Sequence, residues 1–322
     1  MWHDDAVDRH AVESAFQEHR GFLWGLCYRL VGDAADADEL VQETFVRALT
    51  RPPRDLDRPW RPWLTRVAMN LGRDLLRRRR RRRYDGPWLP APVPTSAAGL
   101  PDEPADPAPG PDARYDRLES VTFAFLLALE ALTPAQRAVL LLRDVFDYSV
   151  REAADALDMS EANVKTTHLR ARRVMGSYDA RRVRRPEAAR SGHALERLLT
   201  CLATRDADGL ASLLAQDVRS TSDAGGEFAA ARKEQVGAEA VARLYLGLQA
   251  RTGRVTRMAW HTLNGEPAVE LEFEGGPSGW APRVVVQCET DESGRITRLY
   301  SVMATCKLAR VPASDASTGA SR

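Results

Sequence analysis

Cysteine is scarce in this 322-residue chain. Cys27, Cys201, Cys288 and Cys306 are the only four, and none forms a Cys-x-x-Cys pair. No histidine lies near them at zinc-ligand spacing, so neither a disulfide framework nor a metal site is expected. A run of about 18 apolar residues, enough to cross a bilayer, is also missing. The first residues, MWHDDAVDRH, are charged rather than an apolar leader. These absences lead to the expectation of a soluble protein in a reducing cytoplasm with no membrane partner. GxxxxGK followed by Ser or Thr, GxSxG and HExxH do not occur either, which argues against phosphate-loop, serine-hydrolase and zinc-peptidase chemistry. No catalytic residue and no cofactor is assigned. The short loop Asp223-Ala224-Gly225-Gly226-Glu227 is wrongly placed to cradle a phosphate.

Net charge is nearly absent as well: 46 Lys and Arg stand against 45 Asp and Glu, a formal +1. That balance conceals blocks. Residues 33–43 are acidic, 73–83 intensely basic and 102–117 acidic again. Separated blocks of opposite sign point to more than one kind of partner.

Helical periodicity dominates the N-terminal part. In 36–49, Leu40, Val41, Thr44, Phe45, Ala48 and Leu49 form an apolar stripe, and Asp38, Glu39, Gln42, Glu43 and Arg47 lie opposite. In 61–80 a second stripe runs through Trp63, Leu64, Val67, Ala68, Leu71 and Leu75. Its polar face carries Arg66, Asn70, Arg73 and Asp74 and leads into seven consecutive arginines, Arg77–Arg83. Cations beside Trp60 and Trp63 suit unstacked nucleic acid; a solvated charge run or a phosphate-binding tail fits the same residues, and both tryptophans fit a core. Residues 84–117 are rich in Pro, Gly, Ala and Asp without periodicity, the composition of a flexible, partly extended linker.

Three helix starts follow. Thr133-Pro134-Ala135-Gln136 and Ser149-Val150-Arg151-Glu152 are capping boxes, and Ser160 caps a third helix. Two short helices separated only by Asp158, Met159 and Ser160 form a helix-turn-helix pattern. The last helix exposes Asn163, Lys165, Thr166, Arg170 and Arg173, groups able to bond base edges and phosphates in a major groove; an ordinary basic surface helix is the plainer alternative. His168 falls on the inward face and reads as a packed histidine.

Beyond a basic joint at 181–192 the pattern changes. Residues 193–215 and 236–249 read as amphipathic helices. From 254 the chain alternates, with hairpin signals at Asn264-Gly265 and Asp291–Gly294. This predicts a separate α+β domain with an antiparallel sheet.

Taken together, these segments resemble the extracytoplasmic-function sigma factors of bacterial RNA polymerase. YRLVGDAADADELVQETFVRAL (28–49) is similar to the core-binding helix of region two. RPWLTRVAMNLGRDLLRRRRR (61–81) is similar to the helices that open and read the −10 element. Residues 129–175 resemble region four, which reads the −35 element. The residues that follow resemble a SnoaL-like α+β cone, and Tyr84-Asp85-Gly86-Pro87-Trp88-Leu89-Pro90 resembles a linker motif of the subgroup that carries this extension.

The resemblance implies two all-α sigma domains, the second a helix-turn-helix, followed by an α+β SnoaL-like domain. The implied boundaries are 1–83, a linker at 84–117, 118–185, 190–311 and a disordered tail at 312–322. Asp38, Glu39, Gln42 and Glu43 would meet the beta-prime and beta subunits of core polymerase. Trp63, Arg66, Asn70, Asp74, Arg77 and Arg78 would meet the −10 element of promoter DNA, and Asn163, Lys165, Thr166, Arg170 and Arg173 the −35 element. Trp88, Asp223, Glu227 and Lys307 would form an interdomain regulatory contact, acting in cis without a separate anti-sigma factor. Two loops depart from the subgroup: Asp223–Glu227 stands where Asp-Gly-Gly-Gly-Lys is usual, and Ala304-Thr305-Cys306-Lys307 replaces Asn-Pro-Asp-Lys. Two other readings stay open. One is a SnoaL-like cyclase or isomerase with Asp217, Asp223, Trp260 and His261 lining its cone; the other is a helix-turn-helix repressor.

Overall fold

The computed structural model describes residues 9–53, 55, 58–81, 84, 86–96, 99–104, 114–182 and 188–312. The chain forms two units, residues 1–83 with 95–183 and residues 84–94 with 184–322. The segment read as a linker is therefore shared: 84–94 belong to the second unit and the remainder to the first. Residues 313–322, most of the expected tail, lie outside the described residues.

In the first unit, helices α1 (Arg9–Val31), α2 (Ala34–Thr50) and α3 (Trp60–Arg81) pack on one another. Gly32, at φ +69°, turns the chain out of α1, and Asp33 caps α2 by accepting the amides of Ala35 and Asp36. The α2 stripe is buried as expected from Leu40 to Ala48, but Leu49 is 44% exposed, as is Val46. Helices α1 and α3 approach closely at Gly72, where an added Cβ would stand 2.3 Å from Leu30 Cδ2.

Four further helices follow: α4 (Phe123–Leu129), α5 (Pro134–Asp144), α6 (Val150–Leu157) and α7 (Glu161–Arg182). Both predicted capping boxes form, Thr133 with Gln136 and Ser149 with Glu152. Asp158 ends α6 in the left-handed region at φ +54°, and Ser160 Oγ accepts the Asn163 amide to start α7. The helix-turn-helix thus rests on local chemistry. The fully buried Arg29 of α1 ties the two helical groups together. It donates to Glu103 at 2.9 and 3.0 Å, to Ser120 Oγ at 2.7 Å and to the Arg117 carbonyl at 2.9 Å. A buried guanidinium is tolerated because nearly every donor finds an acceptor.

The second unit holds α8 (Ala188–Thr204), α9 (Ala207–Leu213), α10 (Ala238–Gln249) and strands β1 (Leu214–Asp223), β2 (Gln235–Val236), β3 (Arg254–Leu263), β4 (Glu266–Glu274), β5 (Arg283–Thr290) and β6 (Ile296–Val302). The sheet order is β2-β1-β6-β5-β4-β3. Helices followed by a sheet match the expected α+β extension, with two corrections. The sheet is not wholly antiparallel, because β1 and β6 pair in parallel. The helix read over 193–215 breaks at Arg205, and its end is already strand. Strand β1, LAQDVRSTSD, has few β-branched residues and so gave no strand signal. The Asn264-Gly265 turn has positive φ at both residues, as a tight hairpin requires. The core lies between the helices and one sheet face and includes Leu195, Leu198, Leu213, Val218, Val241, Val269 and Leu299.

Candidate nucleic-acid and regulatory sites

The face of α2 read as core-binding is open to solvent. Asp38, Glu39 and Gln42 are exposed, and Glu43 is half-buried beside Arg47 at 3.0 Å. Asp38 also accepts the Trp24 indole N–H at 2.8 Å. The exposed Val46 and Leu49 lie four and seven residues beyond Gln42 and add an apolar component to that face; of the two, periodicity places only Leu49 inside.

The residues read as −10 contacts divide into two groups. Asp74, Arg77 and Arg78 are exposed, with Asp74 and Arg77 paired at 2.7 Å. Arg66 instead reaches Asp158 at 3.4 Å, and Arg73 donates to Asn70 Oδ1 at 3.2 Å and to the Leu157 carbonyl at 2.8 Å. Thr65 meets the Tyr148 hydroxyl at 3.0 Å. The turn of the helix-turn-helix therefore covers one end of this face within the first unit. Trp63 is half-buried, edge-on to Trp60 with centroids 6.2 Å apart. The side chains of Arg80–Arg83 lie outside the described residues.

On α7, Asn163, Lys165, Thr166, Arg170 and Arg173 are all exposed. The helix is oriented by Asp144 at the end of α5, which is fully buried. Its carboxylate holds His168 Nε2 at 2.8 Å and Arg172 Nε at 3.1 Å. Burial alone would raise the Asp144 pKa, but the hydrogen bonds from His168 and Arg172 outweigh it and hold the group below the usual carboxylate range. His168 is thus a half-buried structural partner of a buried carboxylate.

The four residues read as regulatory come together in the second unit. Asp223, fully buried, accepts the Tyr84 hydroxyl at 2.6 Å and the Leu89 amide at 2.7 Å. Lys307, also buried, donates to Asp223 Oδ2 at 2.6 Å and to the Leu89 carbonyl at 2.6 Å. Its ammonium lies 4.8 Å from the Tyr84 ring centroid and 4.7 Å from that of Trp88. Glu227 accepts the Thr305 amide at 3.2 Å, steadying the loop that precedes Lys307. Tyr84, Trp88 and Leu89 are thus held by a buried ion pair, two backbone bonds and cation–π contacts.

Two participants escaped the sequence reading. In the sequence Tyr84 stands out only as part of a motif, and Asn264 only as a turn residue. Asn264, fully buried, exchanges hydrogen bonds with Val93, its Oδ1 accepting the Val93 amide and its own amide donating to the Val93 carbonyl, both at 2.9 Å. The four residues proposed to line an enzymatic cone do not meet. Asp217 is exposed, Asp223 is engaged in the clamp, Trp260 is 43% exposed and His261 binds Glu270 at 2.7 Å. Glu270 is in turn held by Arg283.

Comparison with known proteins decides the family. Residues 15–82 match the model of sigma-70 region 2, and residues 122–175 match that of sigma-70 region 4. The chain is 34% identical over 298 residues to the ECF RNA polymerase sigma factor SigJ of Mycobacterium tuberculosis, covering 90% of each. The chain belongs to the ECF sigma factors. This sigma factor is also 32% identical over 290 residues to SigG of M. tuberculosis, covering 85% of this chain and 76% of that one. The crystal structure of M. tuberculosis SigJ superposes with a TM-score of 0.67 at 29% identity, covering 92% of this chain and 98% of that one. As a sigma factor it binds core RNA polymerase and promoter DNA and directs transcription initiation; its helical regions are followed by a SnoaL-like α+β extension. Among the described residues no helix is long and apolar enough to cross a membrane.

Proposed function

We propose that this sigma factor is regulated in cis, its second unit holding the segment that leaves the −10-reading helix and so limiting the separation of the two promoter-reading groups. The buried Asp223–Lys307 pair closed over residues 84–89 carries the reading. Removing one partner of a buried ion pair typically costs about 3–5 kcal/mol, so the clamp is a strong restraint. Being on the same chain, segment and clamp meet at an effective concentration on the order of millimolar, and no separate anti-sigma protein is needed.

In this reading the acidic face of α2, with Val46 and Leu49, docks on core polymerase. Asn163, Lys165, Thr166, Arg170 and Arg173 read the −35 element. Trp63, Arg66, Asn70, Asp74, Arg77 and Arg78 handle the −10 element, for which the contacts of Arg66 and Arg73 to the helix-turn-helix turn must first open. The second unit carries out no catalytic step, and the protein works in the cytoplasm with polymerase. The domain boundaries at 1–83, 84–117, 118–185 and 190–311 stand in this scheme as functional segments. Run-off transcription with purified core polymerase tests it: a chain ending after residue 185 is expected to initiate at a different rate from the full chain. Equal rates would remove regulation in cis and leave the sigma activity intact.

A further inference from the structure

The second unit contains a cavity of about 1000 Å³ between helices α8 and α10 and the sheet. That is the upper end of the range, about 300–1000 Å³, over which proteins enclose drug-sized molecules. It opens to solvent where Arg254, Val255 and Met258 are exposed, so a molecule can enter it from outside. Leu202, Leu244, Leu271, Phe273, Trp280 and Val286 give it apolar walls. Even a small apolar cavity, on the order of 150 Å³, stays dry and takes up apolar ligands.

The wall chemistry restricts the occupant further. Arg254 is the one charged residue among the described lining residues; its side chain is solvent-exposed and lies 3.8 Å from Glu274. An ionic ligand would lose its hydration without a buried counter-ion, so charge is selected against. Thr200, Ser222, Gln249 and Thr252 add polar groups to the lining, with Thr200 and Gln249 bonded to the Glu196 carbonyl and to Arg205; the hydroxyls of the lining that bond to one another centre on Tyr245. The Tyr245 hydroxyl stands 3.0 Å from Ser301 Oγ and 3.2 Å from Ser220 Oγ, and Tyr245 and Ser301 both line the cavity. Each hydroxyl offers one donor and two acceptor positions, so this cluster keeps capacity for one more partner. Burial pushes the Tyr245 phenol above its ordinary pKa despite the bonds from the two serines, so it stays a proton donor at neutral pH.

We propose that this cavity is a binding site for a neutral, mainly apolar, drug-sized molecule bearing a hydroxyl or carbonyl oxygen that bonds to the Tyr245–Ser301 pair. The site is separate from the clamp: Asp223, Lys307 and Trp88 are not among its lining residues.

The test uses the full chain and the neutral fluorophore N-phenyl-1-naphthylamine. The expected result is a saturable rise in fluorescence at one probe per chain, with the anionic 1-anilinonaphthalene-8-sulfonate binding at least about tenfold more weakly. Leu271→Trp, which fills the cavity, should abolish the signal while circular dichroism stays native. Met258→Glu is a second variant that does not perturb the core, because Met258 lines the cavity yet is 54% exposed; it should weaken the probe. 1-Naphthol should displace the probe at lower concentration than naphthalene, and Tyr245→Phe should narrow that gap. Unsaturable binding, preference for the sulfonate, or a signal unchanged in both Leu271→Trp and Met258→Glu would overturn the site. Equal displacement by naphthol and naphthalene would overturn the role of the hydroxyl pair.

Discussion

Lys307 and Asp223, 84 residues apart, form a buried ion pair at 2.6 Å that also bonds to Tyr84, to the Gly225 amide and to both backbone groups of Leu89. Neither charge has free access to solvent, at 3% and 0% exposure. The pair is stable because the segment it holds completes its hydrogen bonding, so clamp and segment stabilise each other.

That mutual dependence predicts the effect of breaking it. Lys307→Met leaves Asp223 buried with one fewer donor, and Asp223→Asn leaves Lys307 without a counter-charge. Each single change is expected to destabilise the second unit by about 3–5 kcal/mol, and the double change by far less than the sum. Urea unfolding followed by circular dichroism measures all three, and simple additivity would show that the two charges do not depend on each other.

Core association should depend on the open face of α2. Reversing Glu39 and Glu43 to Lys keeps helical propensity, and Glu43 forfeits only an exposed pair with Arg47 worth about 0.3–0.5 kcal/mol. The double variant is expected to melt like the parent yet capture core polymerase more weakly, with the loss shrinking at high salt. Undiminished capture in a pull-down would remove this face from the interface.

On α7, base reading and phosphate binding should separate. Asn163→Ala is expected to change promoter preference by about 1–3 kcal/mol at one position, whereas Arg173→Ala should weaken all sequences alike and lower the salt slope by about one. Selection from a randomised −35 library distinguishes the two effects. An unaltered preference in Asn163→Ala would make that residue a bystander.

Acid should loosen the helix-turn-helix through Asp144. The Asp144 pKa is lower in the folded than in the unfolded chain, where about 3.9 is usual. Its contribution is therefore complete above the unfolded value and disappears as pH falls through the native one. Asp144→Asn should lower stability at neutral pH and flatten the loss of stability below about pH 4. Thermal melts across pH 2–7 check this, and an acid limb as steep as the parent's would contradict it.

What could be read beforehand was mostly local. The Thr133–Gln136 and Ser149–Glu152 capping boxes and the Asn264-Gly265 turn are fixed by residues within a few positions of each other, and each formed as expected. Distant contacts left no periodic trace. Tyr84 and Asp223 are 139 residues apart and Val93 and Asn264 171 apart, so Asn264 disclosed its turn but not its grip on the segment. Asp223, Lys307 and Trp88 were reached through resemblance to a family, since no spacing rule joins them. Strand β1 was hidden by its polar composition, and Leu49 by a stripe that continued past the buried part of α2. The cavity stayed invisible because its lining is mainly apolar, as that of a filled core would be.

In the proposed scheme the clamp on Tyr84, Trp88 and Leu89 sets the output of this sigma factor. Multiple-round run-off transcription with core polymerase, comparing Trp88→Ala, Asp223→Asn and their combination at matched holoenzyme concentration, tests it most directly. Both single variants are expected to shift transcript yield in the same direction and the combination to add little, because either change alone releases the same segment. Yields equal to the parent's, or effects that multiply independently, would contradict it.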